Sequence, residues 1–246
     1  MKIGVIVNES NPTVGGEKGL GKYYCSRFKK YSEESTRYVP IYGVTGKLPG
    51  PQEILDYAGF IITGSGASAN DNEEWIQNLK NFIIMVKQHN EHRTRKIRVI
   101  GICFGHQLIA KMHGGIVGRN PSKQLELGGE EILIDEAFQS YFRLLFGNNC
   151  DCLKIMEFHN EQVLLKPQSA QLIGKSQSCM NEILLYDDWM LTLQGHPEYT
   201  EELLSAFLAM TDLSLEQAKM IVAQRGHIHN EELTELVCDF LQQSVC

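Results

Sequence analysis

The sequence has no apolar stretch approaching the roughly 18 residues of a membrane-spanning helix, so no such span is expected. It never places more than two Lys or Arg in succession, and its 23 basic and 30 acidic residues leave a net charge of −7. An acidic chain without a basic tract is a poor candidate for binding nucleic acid or an anionic membrane surface. The opening run Met1–Glu9 is too short in its apolar part for a secretory signal and reads as a strand. A Gly-x-x-x-x-Gly-Lys-Ser/Thr phosphate loop is also missing. Gly15-Gly16-Glu17-Lys18-Gly19-Leu20-Gly21 is glycine-rich but has the wrong spacing, and it reads as a flexible loop.

The seven cysteines (Cys25, Cys103, Cys150, Cys152, Cys179, Cys238 and Cys246) are odd in number and scattered, which gives no disulfide framework. Cys150-x-Cys152 with His159 does not match common zinc spacings, so no metal is expected. These absences point to a reduced, soluble, cytoplasmic protein. At 246 residues the chain is long enough to bury roughly 70–75% of its unfolded surface without such staples.

Apolar runs of strand length alternate with helical patterns. Ile3–Val7, Arg37–Tyr42, Gly59–Thr63 and Ile97–Ile102 read as strands, several of them continuously apolar as in strands buried on both faces. Helical patterns lie around Lys22–Tyr31 and over Asn72–Gln88, where Trp75, Ile76, Leu79, Phe82, Ile83 and Val86 form one stripe. This alternation predicts an open, mostly parallel α/β sheet with helices on both faces. Glu131–Ile134, Cys152–Met156, Ala170–Lys175, Glu182–Tyr186 and Met190–Leu193 are short strands, close enough in sequence for antiparallel pairing. Helices are expected over Thr200–Met210, Ser214–Val222 and Asn230–Gln242, with Asp212 or Ser214 and Asn230 as N-caps. No linker divides the chain, so one domain over 1–246 is expected, with 200–246 as a C-terminal helical extension.

The most informative segment is Gly101-Ile102-Cys103-Phe104-Gly105-His106-Gln107, where a buried strand runs into Gly-x-Cys-x-Gly and a helical pattern. Glycines on both sides allow the sharp strand-to-helix turn of a nucleophile elbow, with the sulfur raised above the sheet. A helix N-terminus behind Cys103 would favour the thiolate, and the Phe104 N–H would face a developing oxyanion. Taken alone, Cys103 could equally be a small buried apolar residue at a strand end. Its possible partner follows Leu193, in Gly195-His196-Pro197-Glu198. A cysteine nucleophile needs a base, and the base needs an orienting group. Extended spacing of two brings His196 and Glu198 to one side, so that the carboxylate can fix the imidazole tautomer. Alone, His196 would read as a turn residue before a proline.

Together the two segments resemble the class I glutamine amidotransferases, whose elbow reads Gly-x-Cys-x-Gly-x-Gln and whose downstream motif is His-Pro-Glu. The resemblance covers about residues 3 to 210 and implies a flavodoxin-like open α/β sheet. It makes Cys103 the nucleophile, His196 the general base and acid, and Glu198 its orienter. It also implies a second oxyanion donor in the turn Gly64-Ser65-Gly66 and substrate contacts from Gln107 and from the segment Leu125-Glu126-Leu127-Gly128, with Glu126, Leu127 and Gly128 the residues expected at the substrate. His159 falls in a family loop near the site and reads as a solvated loop histidine.

Within the superfamily, Gly114-Gly115-Ile116-Val117-Gly118-Arg119 and Leu193–Thr200 are similar to stand-alone γ-glutamyl peptidases and to GMP-synthase-like amidotransferase proteins. That similarity implies hydrolysis of a γ-glutamyl amide through a thioester, on a small substrate such as glutamine or a glutathione-like peptide, with no cofactor. Two alternatives stay open. One is a glutaminase releasing ammonia to a separate synthetase partner; the other is a non-catalytic binding module on the same fold.

Overall fold

The structure is a computed structural model that describes residues 1–139, 152–211, 213–214, 216–217, 220 and 228–242. Its centre is a nine-stranded sheet. The strands are β1 (Lys2–Val7), β2 (Arg37–Tyr42), β3 (Gly59–Ile62), β4 (Arg98–Ile102), β5 (Ile116–Arg119), β6 (Glu126–Ile134), β7 (Cys152–His159), β8 (Glu161–Leu165), β9 (Ala170–Lys175), β10 (Ile183–Tyr186) and β11 (Met190–Leu193). Across the large sheet they run in the order β2-β1-β3-β4-β11-β10-β9-β6-β7, while β5 and β8 form a small ribbon of their own. Pairing is parallel from β2 through β11 and antiparallel from β11 through β7. The change follows from the connections. Helical crossovers join the early strands, whereas short turns join β9, β10 and β11.

Helices α1 (Gly16–Lys30), α2 (Glu74–Glu91), α3 (Phe104–Met112), α4 (Glu201–Leu208) and α5 (Asn230–Gln242) cover both faces. Strand alternation assigns each face its own core. Ile3, Val5, Ile61, Ile100 and Ile102 pack with Leu20, Tyr24 and Phe28 of α1, Leu203 and Phe207 of α4, and Leu233 and Val237 of α5. Ile6, Phe60, Ile62 and Val99 pack on the other side with Ile76, Leu79, Phe82 and Val86 of α2 and Leu108 and Ile109 of α3. The apolar runs with no polar alternation are therefore strands buried on both faces, as their composition predicts.

Several elements depart from the sequence expectation. Helix α1 begins at Gly16, not near Lys22, and a 3-10 turn at Pro12–Val14 leads into it, so the glycine-rich segment is the first turn of a helix and not a loop. Helix propensity argues against glycine, but Gly21 lies where a Cβ would come within 2.9 Å of Pro40 on β2. Close packing of α1 on the sheet outweighs the local preference. The ribbon strands β5 and β8 were not expected, and β6 begins at Glu126, five residues earlier than read, because Gly128-Gly129 masks its start.

Helices α4 and α5 fall where the apolar periodicity places them. Of the helix expected over Ser214–Val222, Ser214 and Gln217 exchange N–H to side-chain bonds of 3.0 and 3.2 Å in a capping-box pattern. Asp212, much of that helix and Cys150 lie outside the described residues. Among the described residues, no helix is long and apolar enough to cross a membrane.

Gly105 tests how tightly the elbow is packed. A Cβ there would lie 2.4 Å from the Ile62 carbonyl oxygen of β3. Gly105→Ala is expected to lower stability by about 1–3 kcal/mol, measured by urea unfolding.

Candidate active site

The turns after β1, β3, β4 and β11 gather at the C-terminal edge of the parallel strands, where ligands bind in open α/β sheets. Between them lies a cleft of about 500 Å³ lined by Cys103, His196, Gly64, Ser65, Gly66 and Gln107, among others. The sheet register explains the meeting. Ile102 of β4 pairs with Leu193 of β11, and the Cys103 N–H donates to the Leu193 carbonyl at 2.8 Å. Cys103 and His196 thus leave neighbouring strands at the same level.

Cys103 has φ 50° and ψ −103°, a conformation that side chains with a Cβ rarely adopt. The strain is held by packing on either side. A Cβ on Gly101 would reach within 3.0 Å of the Gly105 backbone, so the elbow closes only with glycine there. Phe104 opens α3, and its N–H is one of the amides that a first helical turn leaves without an intrahelical acceptor. The Phe104 ring is fully buried and packs against Trp75 at 5.4 Å.

His196 and Glu198 are both buried, and Nδ1 lies 2.9 Å from Glu198 Oε1. With Nδ1 committed to Glu198, the opposite ring nitrogen, Nε2, is the one left toward the Cys103 sulfur. Burial opposes charging the imidazole, but the Glu198 carboxylate and then the Cys103 sulfur outweigh it and push the His196 pKa up to about 10. Because this lies above the ordinary value of 6.5, the charged pair contributes stability fully below that pH, lost as pH rises through about 10. Tyr199 stacks on the imidazole with centroids 4.0 Å apart and holds its plane.

The loop carrying His196 is fastened mainly by α5. Asn230 was expected to cap its own helix. Instead it is the first helical residue, and its amide donates to the carbonyls of His196 (2.9 Å) and Tyr199 (3.1 Å) and accepts from the Met156 N–H (3.2 Å). Thr234, one turn later, donates to the Pro197 carbonyl at 2.8 Å. From α1, the Tyr23 hydroxyl bonds the Glu198 carbonyl at 3.1 Å.

The other expected residues divide. Gly64 faces the pair directly, since a Cβ there would lie 2.9 Å from His196 Cε1 and 3.5 Å from the Cys103 Cβ. Of the turn amides expected to meet an oxyanion, that of Gly66 is already committed to Glu9 Oε2 at 2.8 Å. Gln107 lines the cleft and donates to the Glu161 carbonyl at 2.7 Å. Glu126, Leu127 and Gly128 do not line it. Glu126 accepts from Ser122 at 3.1 Å and borders a separate depression with Glu130 and Lys154, and Leu127 is buried in the core. Leu125, the first residue of that expected segment, does line the cleft.

His159 is not solvated. It ends β7, is buried, and lies 3.2 Å from Glu157 Oε2 and 3.2 Å from Asn120 Oδ1. Burial, reinforced by His196, pushes its pKa down. Glu9 was missed altogether. Its carboxylate accepts N–H groups of Asn11 and Gly66 at 2.8 Å each and ties the turn after β1 to the turn after β3. Its position at the end of a buried strand was the available signal. Among the described residues no group of three His, Cys, Asp or Glu is placed to hold a metal ion.

Residues 22–210 match the glutamine amidotransferase class-I family. The chain is 33% identical over 186 residues to γ-glutamyl peptidase 2 of Arabidopsis thaliana, covering 75% of this chain and 71% of that protein. It is 27% identical over 251 residues to a glutamine amidotransferase-like protein of Schizosaccharomyces pombe, covering 96% and 97%. In fold it is similar to a glutamine amidotransferase of Thermotoga maritima, with TM-score 0.75, 17% identity and 99% of each chain covered.

Two variants test the site. In Glu198→Gln the imidazole of His196, followed by NMR, should titrate roughly one to three units lower than in the unaltered protein. Asn230→Ala leaves two carbonyls and an N–H without their partner. It should lower stability by about 2–4 kcal/mol, read as a shifted urea midpoint.

The elbow, the downstream histidine–glutamate pair and the match over residues 22–210 together place this chain in the class-I glutamine amidotransferase family.

Proposed function

We propose that this protein is a cysteine hydrolase of γ-glutamyl amide bonds, acting on glutathione-like peptides or their conjugates through a γ-glutamyl thioester. The observation that carries the reading is the convergence of Cys103 with the His196–Glu198 pair over one cleft. Its similarity to a protein named γ-glutamyl peptidase selects the acyl group.

The chemistry needs only the side chains present. The Cys103 thiolate adds to the γ-carbonyl carbon, and the carbonyl π electrons move to oxygen. The Phe104 N–H and an amide of the Gly64–Ser65 turn hold that oxyanion, each donor worth about 10²–10³ in turnover. Imidazolium His196 protonates the leaving nitrogen as the C–N bond breaks, releasing an amine and leaving the thioester. Neutral His196 then takes a proton from water, whose oxygen attacks the same carbon. Glutamate departs, and the thiolate and imidazolium are restored. Glu198 keeps the imidazole oriented and balances its charge in both halves. The mechanism requires a free thiol at Cys103, which suits the reducing cytoplasm.

Purified protein alone should hydrolyse glutathione, a glutathione S-conjugate or another γ-glutamyl dipeptide, and Cys103→Ala should lower turnover by at least about 10³ while unfolding as the parent does. A γ-glutamyl affinity label should add one mass adduct at Cys103. Undiminished turnover in Cys103→Ala would sink the mechanism. Ammonia release from glutamine only when a synthetase is added would favour the partner-dependent glutaminase.

A further inference from the structure

The cleft carries charge that the catalytic pair does not use. Its acidic side chains each accept a hydrogen bond from the wall. Glu9 accepts two backbone N–H groups, Asp71 accepts the Ser68 N–H at 2.9 Å, and Glu161 accepts the Ser68 hydroxyl at 2.6 Å. Arg119 differs from all of these. It ends β5, its side chain is exposed, and it is the one lysine or arginine among the described residues lining the cleft. Among the described residues its guanidinium makes no hydrogen bond or ion pair, so its five donors face the solvent of the cleft. Glu161 stands opposite it in the β5–β8 ribbon but turns its carboxylate to Ser68.

The ribbon also fixes where this cation stands relative to the sulfur. Gln107, one helical turn beyond Cys103, donates to the Glu161 carbonyl at 2.7 Å, and Glu161 pairs with Arg119. Cys103, Gln107, Glu161 and Arg119 thus form a connected series along one side of the cleft. A molecule held at Cys103 and lying along this side would meet Arg119 beyond Gln107.

We propose that Arg119 is a specificity residue that binds a carboxylate of the substrate, through the planar fork that a guanidinium presents to two carboxylate oxygens. The proposal rests on the γ-glutamyl reading. A γ-glutamyl peptide offers two such groups, the α-carboxylate of the glutamyl head and the C-terminal carboxylate of the leaving peptide. Both present the same chemistry. Among the described residues none of the cleft's carboxylates is paired with the guanidinium.

The test compares the unaltered enzyme, Arg119→Gln and Arg119→Lys on three substrates: glutathione, glutathione amidated at its C-terminal carboxylate, and glutathione amidated at its α-carboxylate. Arg119→Gln should raise KM for glutathione about tenfold or more with kcat nearly unchanged, because the contact is made equally in ground and transition states. Arg119→Lys keeps the charge but loses the fork and should fall between the two. If the C-terminal carboxylate is bound, the unaltered enzyme loses the same factor on the C-terminal amide, and Arg119→Gln has no further effect there. If the α-carboxylate is bound, that pattern moves to the α-amide. Equal KM values for all three enzymes on glutathione would overturn the proposal and leave the γ-glutamyl reading standing. An unaltered enzyme that carries the Cys103 adduct yet cleaves none of the three would remove both.

Discussion

The pairing of β4 with β11 governs everything at this site. The two strands lie far apart in sequence, yet their in-register parallel ladder brings a strand-end cysteine and a strand-end histidine to one level of the sheet. Because the ladder continues through the Cys103 N–H to Leu193, the elbow is an extension of the sheet and not a loose loop beside it. A one-residue slip would invert the side chains of β11 between two different cores. The two cores described on either face are therefore also what keeps Cys103 and His196 aligned.

Burying the His196–Glu198 pair carries a large desolvation cost, and such a pair is stabilising only when its geometry and surroundings are favourable. Here Tyr199 covers one face of the imidazole, and Tyr199 in turn stacks on Phe207 of α4. The surroundings raise the histidine's affinity for its proton even though burial opposes it, while the same burial leaves neighbouring His159 with a lowered one. Two histidines on one cleft are thus driven in opposite directions. At His196 the Glu198 carboxylate and the Cys103 sulfur together outweigh burial, whereas at His159 burial wins although a Glu157 carboxylate oxygen lies 3.2 Å from the ring.

Much of this was legible in the residues themselves. Uninterrupted apolar runs identified β1, β3 and β4, since only strands covered on both faces lack polar alternation. Gly101 and Gly105 around a strand-end cysteine identified the elbow, and the structure shows that both positions lack room for a Cβ. The early start of α1 was hidden because glycine there serves packing on Pro40 against its own helix propensity. Strands β5 and β8 were hidden because they are short and pair only with each other. Glu9 and Asn230 were hidden for a different reason: each works by bonding backbone of a segment remote in sequence, and no local pattern encodes such a partner.

The attachment made by Asn230 and Thr234 has a consequence for the birth of the molecule. Cys103, His196 and Glu198 have all been synthesised by residue 198, but the groups that fasten the His196 loop are translated more than thirty residues later. A nascent chain that has just released its histidine from the ribosome lacks the clamp that sets the ring over the sulfur. Placement of His196 beside Cys103 therefore waits for residues 230 and 234 to be made.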